Sequence, residues 1–314
     1  MNKSGGSTNS LSCLGKNRLG RLLTAMVTPF DARGEVDYQQ AKRLALSLMD
    51  SGSDGMVVSG TTGESPTLSK EEKLRLFAET KSAMANRGIV VAGTGSYDTK
   101  ESQELTREAE KAGVDACLLV VPYYNRPTQQ GLWEHFRAIA QSTTLPCILY
   151  NVPSRTVTNL AADTVIKLSQ IDNIVGVKEA SGNLEQIAEI IHKTKEDFLV
   201  YSGNDSDTFP ILALGGYGVI SVASHLVGIQ IKEMMEKFLD GQVQEAVEIH
   251  RYLLPLVNAL FIVANPMPVK WALNYVGFSV GKPRLPLIEP DEKSTNLIQE
   301  TLKNYRIDLP IPKS

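Results

Sequence analysis

Residues 89–122, IVVAGTGSYDTKESQELTREAEKAGVDACLLVVP, open and close on apolar, β-branched runs around a charged, polar segment. Neither run alternates apolar with polar residues. Continuous apolarity of this kind belongs to strands buried on both faces, as in parallel sheets. The middle, 99–113, reads as a helix closing at Gly113. The stretch is therefore one strand–helix–strand unit.

The unit recurs in both directions. Apolar runs stand at 24–30 (TAMVTPF), 55–60 (GMVVSG), 147–153 (CILYNVP), 174–180 (IVGVKEA), 199–204 (LVYSGN) and 218–224 (GVISVAS). The segment 37–52 places Ala41, Leu44, Ala45 and Leu48 on one helical face and ends at Gly52. The segment 69–88 opens with a capping box, Ser69 and Glu72, and closes at Gly88. Eight strands alternating with helices predict an α/β fold, a (β/α)8 TIM barrel, in preference to an open doubly wound sheet. The GxGxxG of a dinucleotide-binding fold is missing after the first strand. The segments 231–260 and 266–277 read as the last barrel helix and a C-terminal helical extension. The expected organisation is a disordered tail over 1–21, a catalytic barrel over 22–241 and a C-terminal helical domain over 242–314.

Composition narrows the function. Hydrophobic residues at 42% and charged residues at 21% suit a globular protein with an ample core. A net charge of −3, with basic residues spread along the chain, argues against a nucleic-acid surface. No apolar run reaches the roughly 18 residues of a membrane-spanning helix. Three cysteines, Cys13, Cys117 and Cys147, lack CxxC spacing, which points to buried thiols in a reducing cytoplasm. His135, His192, His225 and His250 lack metal-ligand spacing, so no metal is expected. The opening residues are rich in Ser, Gly and Asn and have no apolar core of a secretory signal. They read as a disordered tail or cloning remnant, with an organelle-targeting remnant as the second reading.

In a barrel of this kind, chemistry sits at the C-terminal ends of the strands. Lys178 closes the run 174–177 there, on the same strand face as Gly176. An amine attacks a carbonyl only when neutral, and desolvation lowers an ammonium from its ordinary pKa of about 10.4. Lys178 is thus a candidate Schiff-base residue; the alternative is an ion pair with a carboxylate such as Glu179. GTTGES, 60–65, offers hydroxyls and amides of Thr61 and Thr62 to a carboxylate, or is an ordinary loop. Tyr150 ends a strand and suits a proton relay, or packs at the rim. Arg155 suits a bidentate grip on a carboxylate, or is a solvated surface arginine.

GTTGES, PYYNRP, YNVPSRT, VGVKEASG, SGND and NPMPVKWAL occur in the order, and near the spacing, of one family. Over residues 22–295 the chain resembles the dihydrodipicolinate synthase family, within a superfamily of pyruvate-dependent, Schiff-base aldolases. The resemblance implies that Lys178 forms an imine with pyruvate and that Tyr150, Thr61 and Tyr124 relay protons, with Tyr124 entering a neighbouring subunit's site. Thr62 would hold the pyruvate carboxylate, and Arg155 the carboxylate of aspartate semialdehyde. Gly203 and Ile220 would line the pocket. The implied reaction is a lyase-type condensation and cyclisation in the diaminopimelate route to lysine. It uses no cofactor beyond the covalent imine, and a homo-oligomer, a dimer of dimers, is implied. Ser65, Glu101 and Tyr123 match a lysine-inhibition cleft, but Lys70 and Lys73 stand where histidines are common and Tyr97 where an asparagine is. The added charge opposes an ammonium ligand. The rival enzyme is a sugar-acid lyase such as N-acetylneuraminate lyase, which generally lacks an arginine at position 155. A barrel without catalysis would be marked by loss of Lys178 or Tyr150, and both are present.

Overall fold

The structure, a computed structural model, describes residues 19–311. Most of the expected tail, with Cys13, lies outside the described residues. Its last three residues belong to the barrel. Leu19 is buried, the Gly20 carbonyl accepts from the Tyr201 hydroxyl at 2.8 Å, and the Arg21 N–H donates to Asp54 at 2.8 Å.

Eight parallel strands close into the expected barrel in chain order. They are β1 (Leu22–Ala25), β2 (Gly55–Val58), β3 (Ile89–Gly93), β4 (Ala116–Val120), β5 (Cys147–Asn151), β6 (Ile174–Glu179), β7 (Leu199–Ser202) and β8 (Gly218–Ser221). Closure is made by β1 against β8, with Leu23 opposite Ile220. Inward residues such as Leu23, Val57, Val91, Leu118, Ile148, Leu199 and Ile220 fill the barrel. Outward ones such as Leu22, Met56, Val90, Cys117 and Leu149 pack beneath the helices. Both faces are dry, which is why the runs are continuously apolar.

The unit 89–122 folds as expected. Val91 pairs with Ala116 and Gly93 with Leu118, and the helix Thr99–Lys111 between them is capped by Asp98, whose carboxylate accepts the Glu101 N–H at 2.8 Å. The capping box of Ser69 and Glu72 is present at the head of Lys70–Met84, and Ala41, Leu44, Ala45 and Leu48 are the buried face of Tyr38–Asp50.

Three boundaries differ from expectation. The first strand is Leu22–Ala25, not 24–30. The Met26 N–H still reaches the Val57 carbonyl, but the Val27 N–H donates to His225 Nε2 at 3.1 Å and Pro29 has no N–H to give. The helix expected to close at Gly88 ends at Met84, with Ala85 at φ 48. Gly88 instead permits a close approach of backbones, since a Cβ there would stand 2.7 Å from the Asp54 carbonyl oxygen. The eighth strand ends at Ser221, and the helix Ser224–Leu239 begins seven residues before the expected 231. The Asp205 carboxylate explains this by taking the Val222 and Ala223 N–H groups at 2.9 and 3.2 Å. The C-terminal extension comprises Val243–Leu260, Met267–Tyr275 and a further helix, Glu292–Leu302, that the pattern did not suggest. No helix among the described residues is long and apolar enough to cross a membrane.

Candidate active site

At the C-terminal end of the barrel lies a cavity of about 220 Å³. Its lining includes Thr61, Ser65, Tyr123, Tyr150 and Arg155. The loops around it carry the backbone strain. Six described non-glycine residues have positive φ, and five of them, Ser59, Glu64, Tyr124, Arg126 and Val157, lie in loops following β2, β4 and β5. Each such residue costs on the order of 1–3 kcal/mol, and such outliers gather at functional sites.

Lys178 and Tyr150 are register partners on β6 and β5. Lys178 is 5% exposed and its ammonium lies 4.3 Å from the Tyr150 ring centroid. The ion pair with Glu179 does not form, because adjacent strand residues face opposite ways. The Glu179 carboxylate is buried outside the barrel, where it accepts from Asn151 Nδ2 at 2.8 Å, Gln186 Nε2 at 3.0 Å and the Ser181 hydroxyl at 2.6 Å. Burial raises its pKa, and these bonds oppose the rise. The acid that senses Lys178 is Asp205, buried and bonded by Ser221 and two backbone N–H groups. Burial raises the Asp205 pKa, while its hydrogen bonds and the Lys178 charge oppose the rise.

Thr62 is buried behind the cavity wall, and its hydroxyl accepts from Asn265 Nδ2 at 2.8 Å. Arg155 sits at the rim on the short helix Pro153–Thr156 and donates from Nη2 to the Asn265 carbonyl at 3.2 Å. Asn265 therefore touches both expected carboxylate grips. Its place in NPMPVKWAL was visible, but no chemistry in the sequence tied it to residue 62 or 155. Gly203, at the end of β7, approaches β6 closely: its N–H donates to the Glu179 carbonyl at 2.6 Å, and a Cβ would stand 2.7 Å from that of Ala180. Ile220 is a buried residue of β8. Lys178, Thr62, Gly203 and Ile220 lie outside the cavity lining proper.

Tyr124 does not enter this chain's cavity. It is 91% exposed, at φ 75. Of the residues matched to an inhibitor cleft, Ser65 and Tyr123 line the same cavity as Tyr150, whereas Glu101 accepts from the Ser96 hydroxyl at 3.0 Å. Lys70 is bonded to Glu108 at 2.8 Å. Lys73 is half-buried; desolvation lowers its pKa against the pull of Glu101. Tyr97 packs edge-on to Tyr123 at 5.1 Å.

A buried amine over a tyrosine, beside a cavity with a hydroxyl-rich loop on one side and an arginine at its mouth, is equipped for imine chemistry on a small oxo acid. A 4-hydroxy-tetrahydrodipicolinate synthase of Dehalococcoides mccartyi is 65% identical over 293 residues, covering 93% of this chain and 99% of the relative. A lysine-bound dihydrodipicolinate synthase of Cyanidioschyzon merolae superposes with a TM-score of 0.90 at 48% identity, covering 91% of this chain and 98% of that one. A monomeric dihydrodipicolinate synthase variant superposes at 0.89 with 39% identity, covering 91% and 96%. The Dihydrodipicolinate synthetase family matches residues 18–305, and the chain belongs to that family.

Proposed function

We propose that this chain catalyses the 4-hydroxy-tetrahydrodipicolinate synthase reaction, condensing pyruvate with aspartate semialdehyde through an imine on Lys178. The observation that carries the residue assignment is the buried Lys178 ammonium, unclaimed by Glu179 and set over Tyr150. Neutral Lys178 attacks the pyruvate ketone, and loss of water gives the imine. The protonated imine draws electrons from the methyl group, so a proton leaves and an enamine forms. The enamine carbon attacks the aldehyde carbon, and the resulting alkoxide takes a proton. The amine of the semialdehyde then attacks the imine carbon and displaces Lys178, closing the ring. Tyr150 carries the protons, Thr61 shares its cavity, and Thr62 with adjacent amides holds the pyruvate carboxylate. The imine is the electron sink, so the scheme calls for no metal or other cofactor.

Arg155 selects the second substrate in this scheme. It stands at the cavity mouth, a rim position suited to a carboxylate that arrives after pyruvate. Arg155→Ala should lower kcat/KM for aspartate semialdehyde by about 30-fold or more, the scale of one lost charge-assisted pair. Pyruvate trapping by borohydride should stay within about threefold of wild type, because imine formation precedes the step that the arginine serves. Equal damage to both would contradict the role, and cleavage of N-acetylneuraminate in preference to the condensation would favour the sugar-acid lyase.

The reading makes the working unit at least a dimer, since Tyr124 points out of its own subunit, and a dimer of dimers extends it. Regulation follows from Lys70 and Lys73. With Lys73 already beside Glu101, a free lysine ammonium meets a partly neutralised acid. Micromolar L-lysine should leave turnover unchanged in a coupled assay. Strong inhibition in that range would overturn this.

A further inference from the structure

Beneath the GTTGES loop, Glu64 and Lys270 form an ion pair at 2.8 Å with neither side chain exposed. The Lys270 ammonium has three protons and three acceptors: Glu64 Oε1, the Thr28 carbonyl at 3.0 Å and the Lys282 carbonyl at 3.1 Å. Glu64 Oε2 accepts the Arg284 backbone N–H at 2.8 Å, and the Arg284 side chain is gripped by Glu72 at 2.6 Å. Lys270 and Arg284 both lie over the Phe30 ring, at 4.1 and 4.5 Å. Stability alone does not explain a pair this deep, because well-packed apolar residues of similar volume are often as good or better.

What an apolar pair would not do is fix a backbone. Glu64 ends the turn that carries Thr61 and Thr62. It sits in the left-handed region at φ 57, and its N–H donates to the Thr61 carbonyl at 3.1 Å. The preceding carbonyl, of Gly63, accepts the Thr28 hydroxyl at 2.7 Å. The same cluster thus fastens the loop after β1, the loop after β2 and the C-terminal extension.

We propose that the Glu64–Lys270 pair is a positioning device through which the C-terminal extension holds loop 59–64 in the geometry that lets Thr61 and Thr62 serve the pyruvate end of the site. The proposal rests on the reading of Lys178 as the imine-forming residue. Neither Glu64 nor Lys270 lines the cavity, so both act through the loop. Burial draws the Lys270 ammonium down to about 8; Glu64 opposes this and Arg284 adds to it. The remaining acids near Arg284, Glu72 and Glu35, raise the Arg284 pKa. The Lys270 ammonium is therefore largely kept at neutral pH and is lost as pH rises through about 8.

The test uses the full chain and three variants: Glu64→Gln, Lys270→Met, and the double Glu64→Met/Lys270→Met. Readouts are Tm, kcat, both KM values and the rate of borohydride trapping with pyruvate. Wild-type trapping controls the underlying reading; if wild type gives no adduct, that reading fails and takes the proposal with it. With wild-type trapping in hand, both single variants should raise the pyruvate KM by about tenfold or more, the scale of a small misplacement of a binding group. The KM for aspartate semialdehyde should stay within about threefold, because Arg155 is untouched. The double variant should recover part of the Tm lost in the single variants, short of wild type because the Thr28 and Lys282 carbonyls and the Arg284 N–H lose their partners, yet keep the raised pyruvate KM. The wild-type pyruvate KM should climb above about pH 8, and this climb should be missing from the double variant. If the double variant, or Glu64→Gln where the double does not fold, keeps pyruvate KM and trapping rate within about twofold of wild type, the pair only fastens the fold and the proposal is overturned.

Discussion

Lys178→Ala should give no borohydride-trapped adduct with pyruvate and should lose turnover by at least about 10⁴-fold, the scale seen when a covalent nucleophile is removed. The fold should survive the change. Lys178 is buried, and its described contacts are the Tyr150 ring and the charge felt at Asp205. Removing a buried cation with no direct carboxylate partner relieves a desolvation cost while opening a small cavity, and these effects oppose each other. A Tm within a few degrees of wild type, measured on the same preparation, would assign the loss to chemistry. Lys178→Arg sharpens the test. It restores the positive charge but offers no neutral amine, since a guanidinium stays protonated at any working pH. An electrostatic role for Lys178 predicts partial rescue by arginine; a nucleophilic role predicts none. An adduct on Lys178→Ala, or turnover within about tenfold of wild type, would end the imine assignment.

The barrel was legible because burial on both faces leaves a simple trace. In 89–122 every strand residue is apolar or small, and Gly113 marks the end of the helix. The first strand was misplaced because its register is set from a distance. Asp54 accepts the Leu22 N–H at 3.0 Å and His225 takes that of Val27, and neither partner is marked in the local sequence. The helix Glu292–Leu302 escaped notice because only Ser294, Ile298 and Leu302 are buried on it, too thin a stripe to show a period.

In the site, Lys178, Tyr150, Thr61 and Arg155 were readable as polar residues at or just beyond the ends of apolar strands. Strand position made them candidates with a bland alternative beside each, and the family resemblance supplied their roles. Asn265, Glu64 and Lys270 were not readable as a set. The Asn265–Thr62 and Lys270–Glu64 contacts span 203 and 206 residues, and their pairing depends on how the extension lies against the barrel. Local pattern has no access to that.

Tyr150→Phe should reduce kcat by about 10²–10⁴-fold, the usual worth of a positioned proton-transfer group, and should change the pyruvate KM little. The substitution is well suited to isolate the hydroxyl. The ring that lies under the Lys178 ammonium is kept, and the backbone carbonyl still accepts the Val121 N–H at 2.9 Å. Phenylalanine keeps the 6% exposure of a packed side chain, so Tm should move little. Tyr150 lines the cavity shared with Thr61 and Arg155, and in the proposed scheme the loss of its hydroxyl is felt by the substrate. If Tyr150 relays protons, imine trapping should still occur but more slowly, because forming and collapsing the carbinolamine both need a proton moved. Rim packing predicts the opposite pattern: turnover within about threefold of wild type and an unchanged trapping rate. The distinction is sharpest in single-turnover measurements, where trapping with pyruvate alone reports the first proton transfers and consumption of the aldehyde reports the later ones. A tyrosine serving both stages slows both, which separates it from Arg155, whose loss touches only the second.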